Sequence, residues 1–311
     1  MKSGRLIISD PRSSASSGAP RRLRLLVSHR TAYHYPTGAS RLQLVLRLWP
    51  EPHAGQVVRK WQVTVNDELV QPGARTGHGD RSALWSAAAA PGDIAICASG
   101  IIETEDRSGL VTGLTVRPNP AIFLRETDQT RADKLIRDLV PPPGEDRIPW
   151  LHGLMDTVRD RLPYVSGATN AQTTAIDAMK AGAGVCQDHA HVFIAAARAH
   201  GVPARYVCGY MLAGEEEQDL HETHAWAEAW VEGLGWTAFD PSNGLCPTER
   251  YIRMSTGLDA FDASPIRGHA MGGRSAGVQA DVRIAPASSD GSGDGELEAR
   301  LRAQQQQSQQ Q

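Results

Sequence analysis

Period-two alternation of apolar and polar positions fills the first third of the chain. Leu23–Tyr35 mixes alternation with an apolar run and stops at Pro36-Thr37-Gly38. Leu42–Trp49 follows, closed by Pro50, and Val57–Val65, Ala83–Ser86 and Ile94–Glu105 continue the pattern. Alternation at that period marks a half-buried strand, because successive side chains point to opposite faces. Short strands separated by turn residues predict a β-sandwich of about a hundred residues. The period then changes. Residues 126–140 and 147–162 read as helices, broken by Pro141-Pro142-Pro143-Gly144, since proline inside a helix removes a donor and clashes with the preceding turn. From 163 to about 265 the order is loop, helix, then several strands, which is an α+β pattern.

The two ends lack periodicity. Residues 1–20 hold Ser, Gly and Pro and read as a disordered leader. Residues 271–311 are rich in Gly, Ala and Ser, then Gln, and read as a disordered tail with at most a marginal helix at Glu296–Gln304. The expected organisation is therefore a leader (1–20), an N-terminal β-rich domain (21–125), an α+β domain (126–270) and a tail (271–311). A chain of 311 residues is long enough for two such domains.

Composition narrows the partners. The formal net charge of −3 leaves no surplus of positive charge to attract nucleic acid or an anionic membrane, so neither is expected. The cluster Arg21, Arg22 and Arg24 is short and reads as a solvated lead into the first strand. No run of about 18 apolar residues predicts a transmembrane helix, and Leu6-Ile7-Ile8 is too short for the core of a signal peptide. A cytoplasmic location is the expectation. The four cysteines, Cys97, Cys186, Cys208 and Cys246, are too few and too scattered for a disulfide framework and are expected as free thiols.

One of those thiols has a distinctive setting. Gly182-Ala183-Gly184-Val185 leads into Cys186, and an Ala-rich stretch of helix length follows, ending at Gly201 with Pro203 just beyond. Gly201 fits the position after a helix end, so Cys186 falls at the helix start. Unpaired N–H groups and the helix dipole stabilise a thiolate there, and the same N–H groups can receive an oxyanion. Cys97 and Cys208 lie in apolar strands and read as small buried hydrophobes, while Cys246 lies in a loop before Pro247. Asp188 suits the dipole and is expected to point away from the thiol or to hydrogen-bond the loop.

Downstream, His224, Trp226, Glu228, Trp230 and Glu232 share one face of a strand, and Ala225, Ala227, Ala229 and Val231 the other. Gly233-Leu234-Gly235 makes a hairpin turn, and Trp236–Asp240 returns. A regular ladder centred on Leu234 pairs Trp236 with Glu232 and Asp240 with Glu228. His224 and Asp240 then share a face but are offset by four residues, roughly 13 Å. Contact needs a bulge, a bend or another register. Asp240 before Pro241 also fits a simple turn start. A metal site built from Cys186, His189, His191, His221 and His224 is the competing reading, but the spacings match no common zinc motif.

Taken together, these blocks resemble the transglutaminase-like superfamily, in its bacterial branch with an N-terminal β-rich region. The resemblance rests on Gly184–His191, Gly201–Val207 with Gly209-Tyr210, His224–Glu228, Trp236–Pro241 and, near the N-terminus, Val27–Tyr35. It implies a papain-like α+β core, with the cysteine helix packed on an antiparallel sheet, behind an N-terminal β-sandwich-like domain. It implies roles as well: Cys186 as nucleophile, His224 as general acid/base and Asp240 as orienting carboxylate. The His224–Asp240 contact comes from the resemblance and not from the regular register. For the oxyanion, the Cys186 backbone N–H is one candidate and Tyr164 a second. The implied activity is thiol acyl transfer on a peptide or protein substrate through a thioester, ending in hydrolysis or transamidation. The alternative is a non-catalytic peptide-binding module on the same fold. Neither a calcium loop nor a nucleotide-binding glycine loop is visible, and no cofactor is expected. The sequence assigns no oligomeric state.

Overall fold

The computed structural model describes residues 19–36, 38–90, 92–212, 223–273, 275, 277–288, 295 and 299. Seven strands come first: β1 (Arg22–His34), β2 (Ala39–Trp49), β3 (Gln56–Val65), β4 (Glu68–Val70), β5 (Ala74–Arg75), β6 (Arg81–Ala90) and β7 (Asp93–Glu105). The predicted alternation is visible in β2, where Leu42, Leu44, Leu46 and Leu48 are buried. Those leucines meet Val63 and Val65 of β3 and Ile94, Ile96 and Ala98 of β7 in one apolar cluster. Two antiparallel sheets thus face each other across a dry core, the sandwich that the pattern predicts.

The chain then crosses into the second region. β8 (Leu110–Val111) and a 3-10 turn (Pro120–Leu124) precede α1 (Lys134–Arg137), α2 (Arg147–Arg161), α3 (Ala175–Ala181) and α4 (Cys186–Ala199). β9 (Ala204–Met211), β10 (Thr223–Val231), β11 (Gly235–Phe239) and β12 (Tyr251–Gly257) follow, then α5 (Ala260–Ala263). The core sheet has the order β12-β9-β10-β11-β8 and is antiparallel throughout. α4 lies on it through small side chains. Ala190, Ala195, Ala196 and Ala197 share a cluster with Ala225, Ala227 and Ala229 of β10, which lets helix and sheet approach closely. Phe193 and Ile194, both fully buried, each contribute about 1.5–3 kcal/mol by leaving water. Gly201 takes a φ of 74° past the helix end, as its position predicted.

Two strands lie beyond this core, β13 (Ile266–Met271) and β14 (Gly277–Pro286). They return to the sandwich: β13 pairs with β2 and β14 with β1, giving sheet orders β14-β1-β7-β3-β4 and β13-β2-β6-β5. This corrects the expected division at both ends. The stretch 271–311 is not a tail throughout, because Val282 and Ile284 are buried against Leu25, Val27 and Ile102. Nor does residue 125 separate two regions cleanly. β8 pairs with β11 of the core sheet, while β13 and β14 complete the sheets of the β-rich region. The expected helix over 126–140 reduces to the single turn of α1, begun by Asp133, whose side chain accepts from Ile136 N–H. Before it, Thr127 and Thr130 bond each other and close a turn instead. The expected leader falls mostly, and the Glu296–Gln304 helix almost entirely, outside the described residues. Among the described residues, no helix is long and apolar enough to cross a membrane.

Candidate active site

Cys186 is the first residue of α4. Two contacts fix that start. Asp188 Oδ2 accepts from the Val185 N–H at 2.8 Å and from the Thr169 hydroxyl at 2.6 Å, so the carboxylate holds the lead-in loop. His189 Nδ1 lies 2.8 Å from the Val185 carbonyl. Gly184 is required by close packing: a Cβ there would lie 2.7 Å from Asp188 Cβ. The glycine lead-in and the acidic first turn are therefore one device, which anchors the backbone directly before the thiol.

The hairpin brings the other two predicted residues together by a register that differs from the regular one. Val231 pairs with Gly235, Trp230 with Trp236 and Ala227 with Phe239. Continued one step, the ladder sets Asp240 opposite Trp226, so the offset to His224 is two residues, roughly 7 Å, instead of four. Diagonal side chains span that gap. His224 Nε2 lies 2.6 Å from Asp240 Oδ2. The Cys186 side chain is a second neighbour that acts on the same ring. With Nε2 committed to the carboxylate, Nδ1 is the nitrogen left for a second partner.

The electrostatics follow from burial and pairing. Burial alone would push the His224 imidazole down, but the Asp240 carboxylate and then the Cys186 side chain outweigh it and raise it to about 10. The ring is therefore an imidazolium at neutral pH. Burial likewise opposes ionisation of Asp240, yet His224, Ser242 and Tyr251 hold its carboxyl well below the usual range. Burial drives the Cys208 thiol up to about 12 and the Cys246 thiol up to about 11, so neither is a nucleophile near neutrality. None of the four cysteines forms a disulfide.

Residues 145–241 match the profile of the transglutaminase-like superfamily, and residues 25–103 that of the bacterial transglutaminase-like N-terminal region. The chain belongs to the transglutaminase-like superfamily. It is similar to an uncharacterised protein of Mycobacterium leprae, 26% identical over 270 residues, covering 79% of this chain and 92% of that one. It is also similar to an uncharacterised protein of Mycobacterium tuberculosis, 27% identical over 272 residues, covering 79% and 87%. Among solved structures it resembles a candidate cysteine protease from Cytophaga hutchinsonii, with a TM-score of 0.68, 22% identity, and 86% and 92% of the two chains covered. That likeness shows a shared fold.

In this transglutaminase-like core, Tyr164 sits beside the loop that leads to Cys186. Its backbone bridges Gly184, and its ring stacks on His189 with centroids 6.0 Å apart. Sequence reasoning missed the residues that surround Asp240. Oδ1 accepts from the Ser242 N–H (3.0 Å), the Ser242 hydroxyl (2.6 Å) and the Asn243 N–H (3.3 Å). Oδ2 accepts from Asn243 Nδ2 (2.7 Å) and the Tyr251 hydroxyl (2.8 Å) besides His224. Pro241-Ser242-Asn243-Gly244 is a readable turn signal that could have exposed the first set. Tyr251 gave no local signal. Among the described residues, no group of three or more His, Cys, Asp or Glu side chains is arranged to hold a metal ion.

Proposed function

We propose that this protein is a thiol acyl-transfer enzyme acting on amide bonds of peptides or proteins, with Cys186 as nucleophile, His224 as general acid/base and Asp240 as orienting carboxylate. One observation carries the reading: a part-buried imidazole held 2.6 Å from a buried carboxylate also feels the thiol at the helix start, whose side chain helps to raise it. In the proposed cycle the Cys186 sulfur attacks the amide carbonyl and the C–N bond breaks. The His224 imidazolium gives its proton to the departing amine, leaving a thioester. Water, deprotonated by the now neutral imidazole, then releases an acid; an amine in its place gives a new amide. The Cys186 backbone N–H at the start of α4 is the first candidate donor to the oxyanion, and Tyr164 the second. We favour hydrolysis, because no dedicated amine site is evident among the described residues.

The test is mass analysis of a glutamine-containing peptide incubated with the protein, with and without a primary amine. Chain cleavage or deamidation alone identifies a hydrolase, and amine incorporation a transamidase. Cys186→Ala should abolish either product and the rapid alkylation of that thiol by iodoacetamide. Turnover that survives in Cys186→Ala would refute the triad, whereas a wild-type protein that binds such peptides without turning them over would favour a binding module on this fold.

A further inference from the structure

β12 is an edge strand of the core sheet, and its outer edge is not left to water. Buried Gln56 of β3 takes both backbone groups of Arg253: Oε1 accepts from its N–H at 2.8 Å, and Nε2 donates to its carbonyl at 2.9 Å. Asp80 accepts from the Thr256 N–H at 2.9 Å, and Arg47 donates to the Thr256 carbonyl. The Thr104 hydroxyl of β7 donates to the carbonyl of Glu249, just before the strand. On its apolar side, Ile252 and Met254 pack with Leu25, Val27 and Ile102. Side chains of the β-rich region thus occupy the hydrogen-bonding edge that a further strand would fill.

The first residue of β12 is Tyr251. Its hydroxyl donates to Asp240 Oδ2, and its ring meets His224 edge-on at 5.8 Å and Trp226 at 5.5 Å. It therefore touches both the carboxylate and the imidazole that the carboxylate orients. Every donor to Oδ1 comes from the loop Ser242-Asn243, which follows Asp240 directly and moves with it. Besides His224 itself, Tyr251 is the donor to Asp240 from a separate element. Burial and the neighbouring Asp240 push its phenol up, so it keeps a proton to donate to Asp240 while its oxygen accepts from Asn243 Nδ2 at 3.2 Å.

We infer that the β-rich region is part of the acyl-transfer apparatus: it fixes β12, and Tyr251 on that strand is a positioning residue that holds Asp240 against His224. The inference rests on the function proposed above and assigns the N-terminal region a role in the chemistry. Misplacing a reacting group by an ångström can slow a reaction about 100-fold. Tyr251→Phe should therefore lower the rate of Cys186 alkylation at pH 7 by about 10- to 100-fold while the protein stays folded. Gln56→Ala and Thr104→Val should lower it in the same direction, two routes in case one variant folds poorly.

Two readouts separate positioning from mere stability. The first is a double-mutant cycle. Tyr251→Phe should have no further effect in an Asp240→Ala background, and Gln56→Ala none in a Tyr251→Phe background; additive losses overturn the inference. The second is the low-field proton resonance of the His224–Asp240 hydrogen bond, which should move in Tyr251→Phe. An unmoved resonance overturns the inference whether or not Cys186 is reactive. A wild-type Cys186 that alkylates no faster than free cysteine refutes the proposed function instead, and the resonance still decides the role of Tyr251.

Discussion

Replacing Asp240 by asparagine removes one charge and one orientation at once. In the native site three donors converge on each oxygen: His224, Tyr251 and Asn243 on Oδ2, and the Ser242 N–H, Ser242 hydroxyl and Asn243 N–H on Oδ1. An amide in either flip turns its NH2 toward such a set. The Oδ1 side includes two backbone N–H groups that cannot reverse, so the amide nitrogen is forced toward His224. It then donates to Nε2, and the proton of a neutral ring moves to Nδ1, the nitrogen that the proposed triad turns toward Cys186. That tautomer cannot take a proton from the thiol. The same substitution in the Ser-His-Asp triad of chymotrypsin-like proteases lowers turnover about 10⁴-fold, and a loss of about 10³ to 10⁴ is expected here.

The charge gives a second, independent magnitude. His224 is raised to about 10 because the carboxylate, and then the Cys186 side chain, outweigh burial; without the carboxylate, burial should carry it well down. Each unit of that fall is about 1.4 kcal/mol. The sign of the stability effect follows from linkage. A folded pKa above the unfolded value stabilises fully below about pH 6.5 and fades as pH rises toward 10. The depressed Asp240 stabilises above about pH 3.8 and fades on acidification. The stability gap between wild type and Asp240→Asn should therefore be widest from about pH 4 to 6.5 and narrow on either side. Ring-proton NMR across a pH titration reads the histidine directly, and urea unfolding at several pH values reads the gap. A His224 that still titrates near 10 in Asp240→Asn would refute the reasoning.

Three further outcomes test the frame around the site. Gly184→Ala, whose new methyl would sit 2.7 Å from Asp188 Cβ, should destabilise by about 1–3 kcal/mol in urea unfolding and slow Cys186 alkylation. Glu228→Gln leaves Arg205 and Arg253 facing each other without their shared carboxylate, and should lose about 3–5 kcal/mol. Burial opposes that charge, but the two arginines hold Glu228 down at about 2, so its stabilisation is present above about pH 4.5 and the deficit of the variant should shrink as pH falls below that. Ile284→Ala should lower stability by about 2–5 kcal/mol if β14 is part of the sandwich core, and an unchanged unfolding midpoint would return that segment to the solvent.

What was readable in the chain tracks how local the deciding force is. The four leucines of β2 announce their strand because alternate burial is written every second residue. β14 carries the same alternation in Val278, Ala280, Val282 and Ile284, but only the last two are buried among the apolar four, and glycine, serine and alanine around them mask the signal. The helix start at Cys186 was legible for a chemical reason: glycine lead-in, acidic first turn and terminal Gly201 are local rules. Nothing local connects Gln56 to Arg253 or Glu228 to Arg205, and those contacts join elements far apart in sequence. The parts that hold the site in place are therefore the parts that a sequence pattern reports least.

The His224–Asp240 contact lies between those extremes. Glycines at both 233 and 235 allow the turn to be centred on either side of Leu234, and local chemistry does not choose. Centred on Leu234, the ladder leaves the two residues four positions apart. In the structure Val231 meets Gly235, the loop holds Glu232, Gly233 and Leu234, and both glycines take positive φ, 82° and 94°. The choice is made by packing: Trp230 and Trp236 stack edge-on at 5.5 Å, and Arg205, fully buried, lies 3.9 Å over the Trp236 ring. The shift is by two residues in the pairing, and that parity matters. A shift of one would have turned Asp240 to the face of Ala225 and Ala227, away from His224. Because strands alternate, face was predictable from sequence while distance was not. Tryptophan packing behind the sheet supplies the missing distance, and so sets whether the imidazole can reach its carboxylate.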